Sequence, residues 1–329
     1  MDIREELLFI NEKEVLSLLT AKDAIEAAED TFLHIGTGDI TVGNMSMMFV
    51  DPDRKNNFHS MPAIIRHKKI AGVKWIDTYS APLPGYPFSH GNLVILSDII
   101  TGSPIAIVGA TNITAMRTAG GHGVVQAKYL AQPEPKVLSV IGCGSQAKAG
   151  IRGFLTQFPS LRQIRLFSRS RQPMEQVRGE YRDRIEVVLC DSPEAAIEGS
   201  NLILMASGAV TPLITADMVT PGTTIIGIEG FRDMDPQIAK LADKWYLGYK
   251  EPDKSILNGA RLNPGHLLES QDVFGDMTEL LSGKIPGRET EREIIVSTHM
   301  GMGAHDVNCA FTVLKRARER GVGQILFLS

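Results

Sequence analysis

Three charged residues stand where their neighbours argue against charge. Lys74 interrupts the apolar run Gly72-Val73-Lys74-Trp75-Ile76. Desolvating an ammonium without a partner is costly. Two arrangements therefore fit: a strand edge with Lys74 in water, or a cleft wall where it meets a carboxylate or moves protons. Arg117 lies in Thr114-Ala115-Met116-Arg117-Thr118-Ala119, among small residues that leave room for an approaching group. A guanidinium there is either a carboxylate clamp or half of a structural salt bridge. Glu229 follows the apolar stretch 225–228. It is placed at the carboxyl end of a strand candidate, where open α/β sheets bind ligands, and reads as an acid/base or as a turn-capping acid. Asp306, after Gly301-Met302-Gly303, reads as the cap of the last helix.

A phosphate-binding turn is the sharpest motif. Gly142-Cys143-Gly144-Ser145-Gln146-Ala147 is a GxGxxA that follows the apolar segment 137–141 and opens a helical segment. Gly142 permits the tight turn, Gly144 lets backbone approach a pyrophosphate, and Ala147 allows close helix–strand packing. The helix N-terminus then offers its N–H groups to the phosphates. The bland alternative is a structural Gly-rich turn. The next strand candidate ends Phe167-Ser168-Arg169-Ser170-Arg171, without the acid that bonds the ribose hydroxyls of NAD. The guanidiniums of Arg169 and Arg171 with the hydroxyls of Ser168 and Ser170 suit a 2′-phosphate, so NADP(H) is favoured over NAD(H), against the alternative of an exposed basic loop. Ser207 and Gly227 complete the expected cofactor contacts.

These residues need elements to hold them. Thr20 can cap a helix whose apolar positions Ile25, Ala28, Phe32 and Leu33 recur at helical spacing. Between 40 and 108, short apolar runs alternate with Gly, Pro, Asp and Asn, which predicts strands at 45–50, 70–76, 93–96 and 105–108, the last two as a hairpin around Thr101-Gly102. Residues 111–130 read as helix. From 136 onward, strand candidates at 137–141, 164–167, 185–189, 202–205, 224–228 and 244–247 alternate with helical segments, which implies βαβ units and a parallel sheet. Residues 255–288 read as connecting helices, and 306–320 as a final helix. The expected fold is α/β, a Rossmann-type doubly wound parallel sheet at 116–302 inserted in a discontinuous α+β domain formed by 1–115 and 303–329.

Composition bounds the partners. The 329 residues suggest about two domains. With 43% hydrophobic and 22% charged residues the chain is neither disordered nor coiled coil. A net charge of −4 supplies no basic field for nucleic acid or an anionic membrane. The start MDIREELLFI puts Asp2, Glu5 and Glu6 where a signal peptide needs basic and then apolar residues. Cys143, Cys190 and Cys309 are odd in number and widely spaced. A reduced, cytoplasmic protein is expected, and the eight histidines show no metal spacing, so no metal site is expected.

Taken together, Met61-Pro62, Gly72-Val73-Lys74-Trp75, His90-Gly91-Asn92, Thr101-Gly102-Ser103-Pro104, Thr114 to Ala119, Gly142 to Ala147 and Gly301-Met302-Gly303-Ala304-His305-Asp306 resemble the ornithine cyclodeaminase/mu-crystallin family across nearly the whole chain. The resemblance implies a homodimer with a substrate and dimerisation domain, and hydride exchange between nicotinamide and an amino- or imino-acid carbon. It makes Lys74 the catalytic lysine, Arg117 the carboxylate-binding arginine and Thr118 a cofactor phosphate contact. Ser89 and His90 resemble the cofactor-facing pair of the mu-crystallin branch. Asn44 stands where the family often carries an arginine, and with Met61 it is expected at the substrate. Glu229 stands where cyclodeaminases carry aspartate. Both departures argue for an imino-acid reductase or amino-acid dehydrogenase; a cyclodeaminase using NAD catalytically, and a non-catalytic NADP-dependent binding protein of mu-crystallin type, are the alternatives.

Overall fold

A computed structural model describes residues 6–51, 53, 56–79, 91–251, 253 and 272–328. These fall into two compact units, one drawn from Met1–Arg117 with Met302–Ser329, the other from Thr118–Gly301.

The first unit begins with β1 (Glu6–Ile10), α1 (Glu12–Leu18) and α2 (Ala21–Gly36). Thr20 caps α2 as expected, with Asp23 closing a capping box. Ile25, Ala28 and Phe32 are buried on its inner face, whereas Leu33 is exposed. Then come β2 (Ile40–Val42), β3 (Ser46–Phe49), β4 (Asn57–Ile65), β5 (Ile70–Thr78), β6 (Leu93–Asp98), β7 (Pro104–Gly109) and α3 (Thr111–Arg117). The end of the chain returns as a C-terminal helix, Gly303–Arg320, and a C-terminal strand, Gln324–Phe327. One sheet runs C-terminal strand, β1, β7, β6, β5, β4, β2, with β3 also on β4. The expected hairpin is β6 with β7. Strand β4 went unanticipated because His59, Ser60 and Pro62 break its apolar pattern. Both terminal strands are short, and only their mutual pairing and the contact of β1 with β7 make them sheet.

The sheet's two faces differ. Ile70, Lys74, Val94, Leu96, Ala106 and Val108 are buried on one face, which the C-terminal helix covers. On the other, Ile64, Trp75, Leu93 and Ile95 are each more than a third exposed. Alternation by one residue along each strand creates this division.

The second unit opens with a π-helical turn, Thr118–His122, and α4 (Gly123–Leu130). The continuous helix expected over 111–130 is thus interrupted at Gly120-Gly121, which weaken helical preference. There follow β8 (Val137–Ile141), α5 (Ser145–Gln157), β9 (Gln163–Phe167), α6 (Arg171–Tyr181), β10 (Glu186–Leu189), α7 (Pro193–Ile197), β11 (Leu202–Met205), β12 (Thr224–Gly227), α8 (Gln237–Leu241), β13 (Lys244–Leu247), β14 (Gly275–Asp276), α9 (Met277–Leu281) and β15 (Ile295–Thr298). The sheet order is β10-β9-β8-β11-β12-β15-β13-β14, and all pairings are parallel. This is the Rossmann-type doubly wound sheet. Strand order reverses between β8 and β11, the switch point outside which such sheets bind ligands. The sequence missed β14 and β15. Strand β15 is four residues, two apolar followed by Ser297 and Thr298, too short a pattern for periodicity to tell strand from helix.

Among the described residues no helix is long and apolar enough to cross a membrane, and Cys143, Cys190 and Cys309 are free and buried.

Candidate active site

Lys74 occupies the middle of β5, opposite Met61 of β4 and Val94 of β6 in the sheet register. Its side chain is fully buried, which removes the solvent-facing alternative. The C-terminal helix supplies the reason an ammonium survives there. Its Asp306 carboxylate reaches Lys74 with Oδ1, 2.8 Å from Nζ, and Arg117 with Oδ2, 3.1 Å from Nε. Asp306 is therefore not the helix cap. Met302 holds the N-cap position, and Asp306 sits in the first turn, fully buried. The helix can begin so close to the sheet because residue 303 is glycine. A Cβ there would stand 2.1 Å from the Met61 carbonyl oxygen.

This cluster carries two cations and one anion. Both ion pairs are short. Arg117 Nη1 is buried without a hydrogen-bond partner among the described residues. Burial lowers the Lys74 pKa to about 8; Asp306 pulls it upward, and Arg117 lowers it further. The arrangement suits an incoming anion, because a second carboxylate would balance the charge and satisfy the open guanidinium donor. Of the other residues expected at the substrate, Met61 is half-buried on β4 and Asn44 is exposed between β2 and β3. Ser89 and His90 lie outside the described residues.

In the second unit, the Gly142-Cys143-Gly144 turn joins β8 to α5 as expected. Gly142 has φ +117°, and a Cβ on it would lie 2.2 Å from the Ala206 carbonyl oxygen at the end of β11. Gly144 is the N-cap of α5, whose first N–H groups receive no side-chain cap. Ser145 and Gln146 begin that helix, and Gln146 Oε1 accepts from the Ala119 N–H at 3.4 Å. Burial raises the Cys143 thiol pKa. Thr118 Oγ1 is buried without a hydrogen-bond partner among the described residues. An open turn, an uncapped thirteen-residue helix and an unpartnered buried hydroxyl fit a dinucleotide's phosphates.

Ser168 is half-buried, and Arg169 and Ser170 are exposed, beyond the end of β9. Arg171 is held by Glu175 and, at 3.0 Å, by Asp191, which leaves Arg169 as the more available guanidinium. Ser207 follows β11. Its hydroxyl donates to Asp233 at 2.8 Å, and burial raises the Asp233 pKa to about 6. Gly227 ends β12, and Glu229 stands in the turn beyond it. Glu229 is 42% exposed, with Arg232 at 3.4 Å. Desolvation raises its pKa and Arg232 opposes the shift.

Comparison with known proteins decides the family. The ornithine cyclodeaminase/mu-crystallin family profile matches residues 5–321. The chain belongs to this family. It is 27% identical to the alanine dehydrogenase of Archaeoglobus fulgidus over 97% of both chains. It is 26% identical to the N-((2S)-2-amino-2-carboxyethyl)-L-glutamate dehydrogenase of Staphylococcus aureus, over 79% of this chain and 78% of that one. A solved archaeal alanine dehydrogenase dimer with bound NAD superposes with TM-score 0.88 at 25% identity, covering 98% of this chain and all of that one. As a member of the ornithine cyclodeaminase/mu-crystallin family the chain has the fold its sequence implied. Asp306 is the site residue that sequence reasoning misassigned. Its signal was available in the family stretch Gly301 to Asp306, but a cap and a buried counter-ion look alike in sequence.

Proposed function

We propose that this protein is an NAD(P)H-dependent oxidoreductase acting at the α-carbon of an amino or imino acid. The carrying observation is the buried Lys74–Asp306–Arg117 cluster, whose formal charge of +1 calls for an anion. Arg117 binds the substrate α-carboxylate. Lys74 holds the nitrogen end by charge and hydrogen bonding, and its pKa of about 8 lets it exchange a proton near neutral pH. Asp306 orients both cations. Glu229, with its raised pKa, takes the acid–base role. Asn44 and Met61 shape the side-chain pocket.

The second unit holds the dinucleotide, which supplies hydride transfer when bound. Gly142, Cys143, Gly144, Ser145, Gln146 and Thr118 hold its phosphates, with Ser207 and Gly227 at the carboxyl ends of β11 and β12 in the same sheet. Ser168, Arg169 and Ser170 favour a 2′-phosphate, and hence NADP(H). Ser89 and His90 keep their family assignment as cofactor contacts. The apolar face formed by Ile64, Trp75, Leu93 and Ile95 supports a homodimer through a second copy of this chain.

The test is NADPH and NADH oxidation over a panel of oxo acids with ammonia or amines, and of cyclic imines, for wild type and Arg117→Ala. Losing one charge-assisted contact, about 1.5–3 kcal/mol, lowers kcat/KM at least about tenfold. Near-wild-type activity in the variant would refute the clamp. Proline and ammonia from ornithine with NAD⁺, without NADH accumulation, would establish the cyclodeaminase instead. Binding without turnover of any substrate would establish the binding protein.

A further inference from the structure

A second polar cluster in the first unit has no part in the proposed reaction. Asp30 and His34 lie one turn apart on α2, and His67 lies on the short helical turn Arg66–Lys68 that links β4 to β5. Their ligand-capable atoms all fall within 4.8 Å of one another, and each side chain is about a quarter exposed. The two imidazole rings stack at 4.1 Å with 21° between their planes. His67 has a carboxylate on both sides. Nδ1 lies 2.5 Å from Asp39 Oδ2, and Nε2 lies 3.2 Å from both oxygens of Asp30.

A neutral imidazole has one N–H to give. With Nδ1–H donated to Asp39, the Nε2 lone pair faces a carboxylate, which is repulsive unless a cation is shared between them. That cation is either a proton on His67 or a metal ion. Three further observations favour the metal. Asp39 on Nδ1 is the carboxylate–histidine arrangement that fixes the tautomer of a ligating imidazole. His34 Nδ1 lies 3.2 Å from Asp30 Oδ1 and 2.9 Å from the Asp30 backbone carbonyl, so it is the nitrogen that a cation shared with Oδ1 would meet. Lys68 and Asn308 both bond Asp30 Oδ2, at 2.8 and 2.7 Å, and so anchor the carboxylate while Oδ1 faces the two histidines.

We propose that Asp30, His34 and His67 form a binding site for one divalent transition-metal ion of the zinc class, with Asp39 orienting His67. Two imidazoles and one carboxylate, with water on the exposed side, make a tetrahedral set suited to such an ion. The site ties the β4–β5 turn to α2. Because Asn308 lies two residues beyond Asp306, it also braces the helix that carries the counter-ion of Lys74.

The test uses the full chain, freed of metal with a chelator. Zn²⁺ is titrated by calorimetry, and Co²⁺ is followed by its visible absorption. The expected result is one equivalent bound with a rise in melting temperature, both lost in His34→Gln/His67→Gln. Asp39→Asn keeps all three ligands and weakens binding about 10–100-fold. Circular dichroism shows whether each variant is folded; if the double variant does not fold, Asp39→Asn and single His34→Gln decide the matter. Absence of stoichiometric binding, or binding unchanged in these variants, overturns the site, and His67 is then an imidazolium held between two carboxylates.

Discussion

Asp306 Oδ1 stands 2.8 Å from Lys74 Nζ with both side chains fully buried, a contact between residues 232 positions apart in the chain. The same carboxylate holds Arg117, so one anion on the C-terminal helix fixes both cations.

Asp306→Asn leaves two buried cations without their counter-ion. Breaking a buried ion pair from one side costs about 3–5 kcal/mol. Urea unfolding should show a loss of that order. Because Asp306 holds the Lys74 pKa up, the alkaline limb of the pH–rate profile should also move to lower pH. A variant as stable as wild type would show that Asp306 does not compensate the cluster.

Lys74 makes stability depend on pH in a definite direction. Its folded pKa of about 8 lies below the 10.5 of an ordinary lysine. Between these values the unfolded chain binds the extra proton, so stability rises with pH. Below about 8 both states are protonated and the cost of burying the ammonium is constant. Above about 10.5 both are neutral and the cost is gone. The wild-type unfolding free energy, less that of Lys74→Met, should therefore climb from pH 8 to 10.5. A flat difference would mean that Lys74 titrates as an unperturbed lysine.

Arg169→Asp removes an exposed guanidinium beyond β9 and installs the acid that bonds ribose hydroxyls. The KM for NADPH should rise far more than the KM for NADH. Equal effects on the two would remove Arg169 from the cofactor site.

Gly142→Ala combines a positive φ with a Cβ driven into the Ala206 carbonyl. Backbone strain alone costs about 1–3 kcal/mol. Fluorescence titration should show dinucleotide binding lost, while the far-UV circular dichroism of the chain stays that of a folded protein. Binding at wild-type strength would show that the turn tolerates a side chain.

Strands dominated by apolar residues were legible from sequence. Leu202–Met205 and Lys244–Leu247 match the expected bounds, and Val137–Ile141 leads into the Gly142 turn as the motif requires. Lys74 and Arg117 stood out because charge among apolar or small neighbours needs a partner. Sequence could not say which partner, nor whether Lys74 faced water. Local patterns report the preference of a short segment, whereas a counter-ion is chosen by whichever helix the chain later lays across the sheet. The same limit hid β1 and the C-terminal strand, which are too short to declare themselves and exist through pairing. It also hid the Asp30–His34–His67 cluster, whose third member lies 33 residues beyond the second. The residue types and the glycine turn were fixed by sequence; the charge balance around Lys74 and Arg117 was decided by tertiary structure, because it depends on distances across the fold.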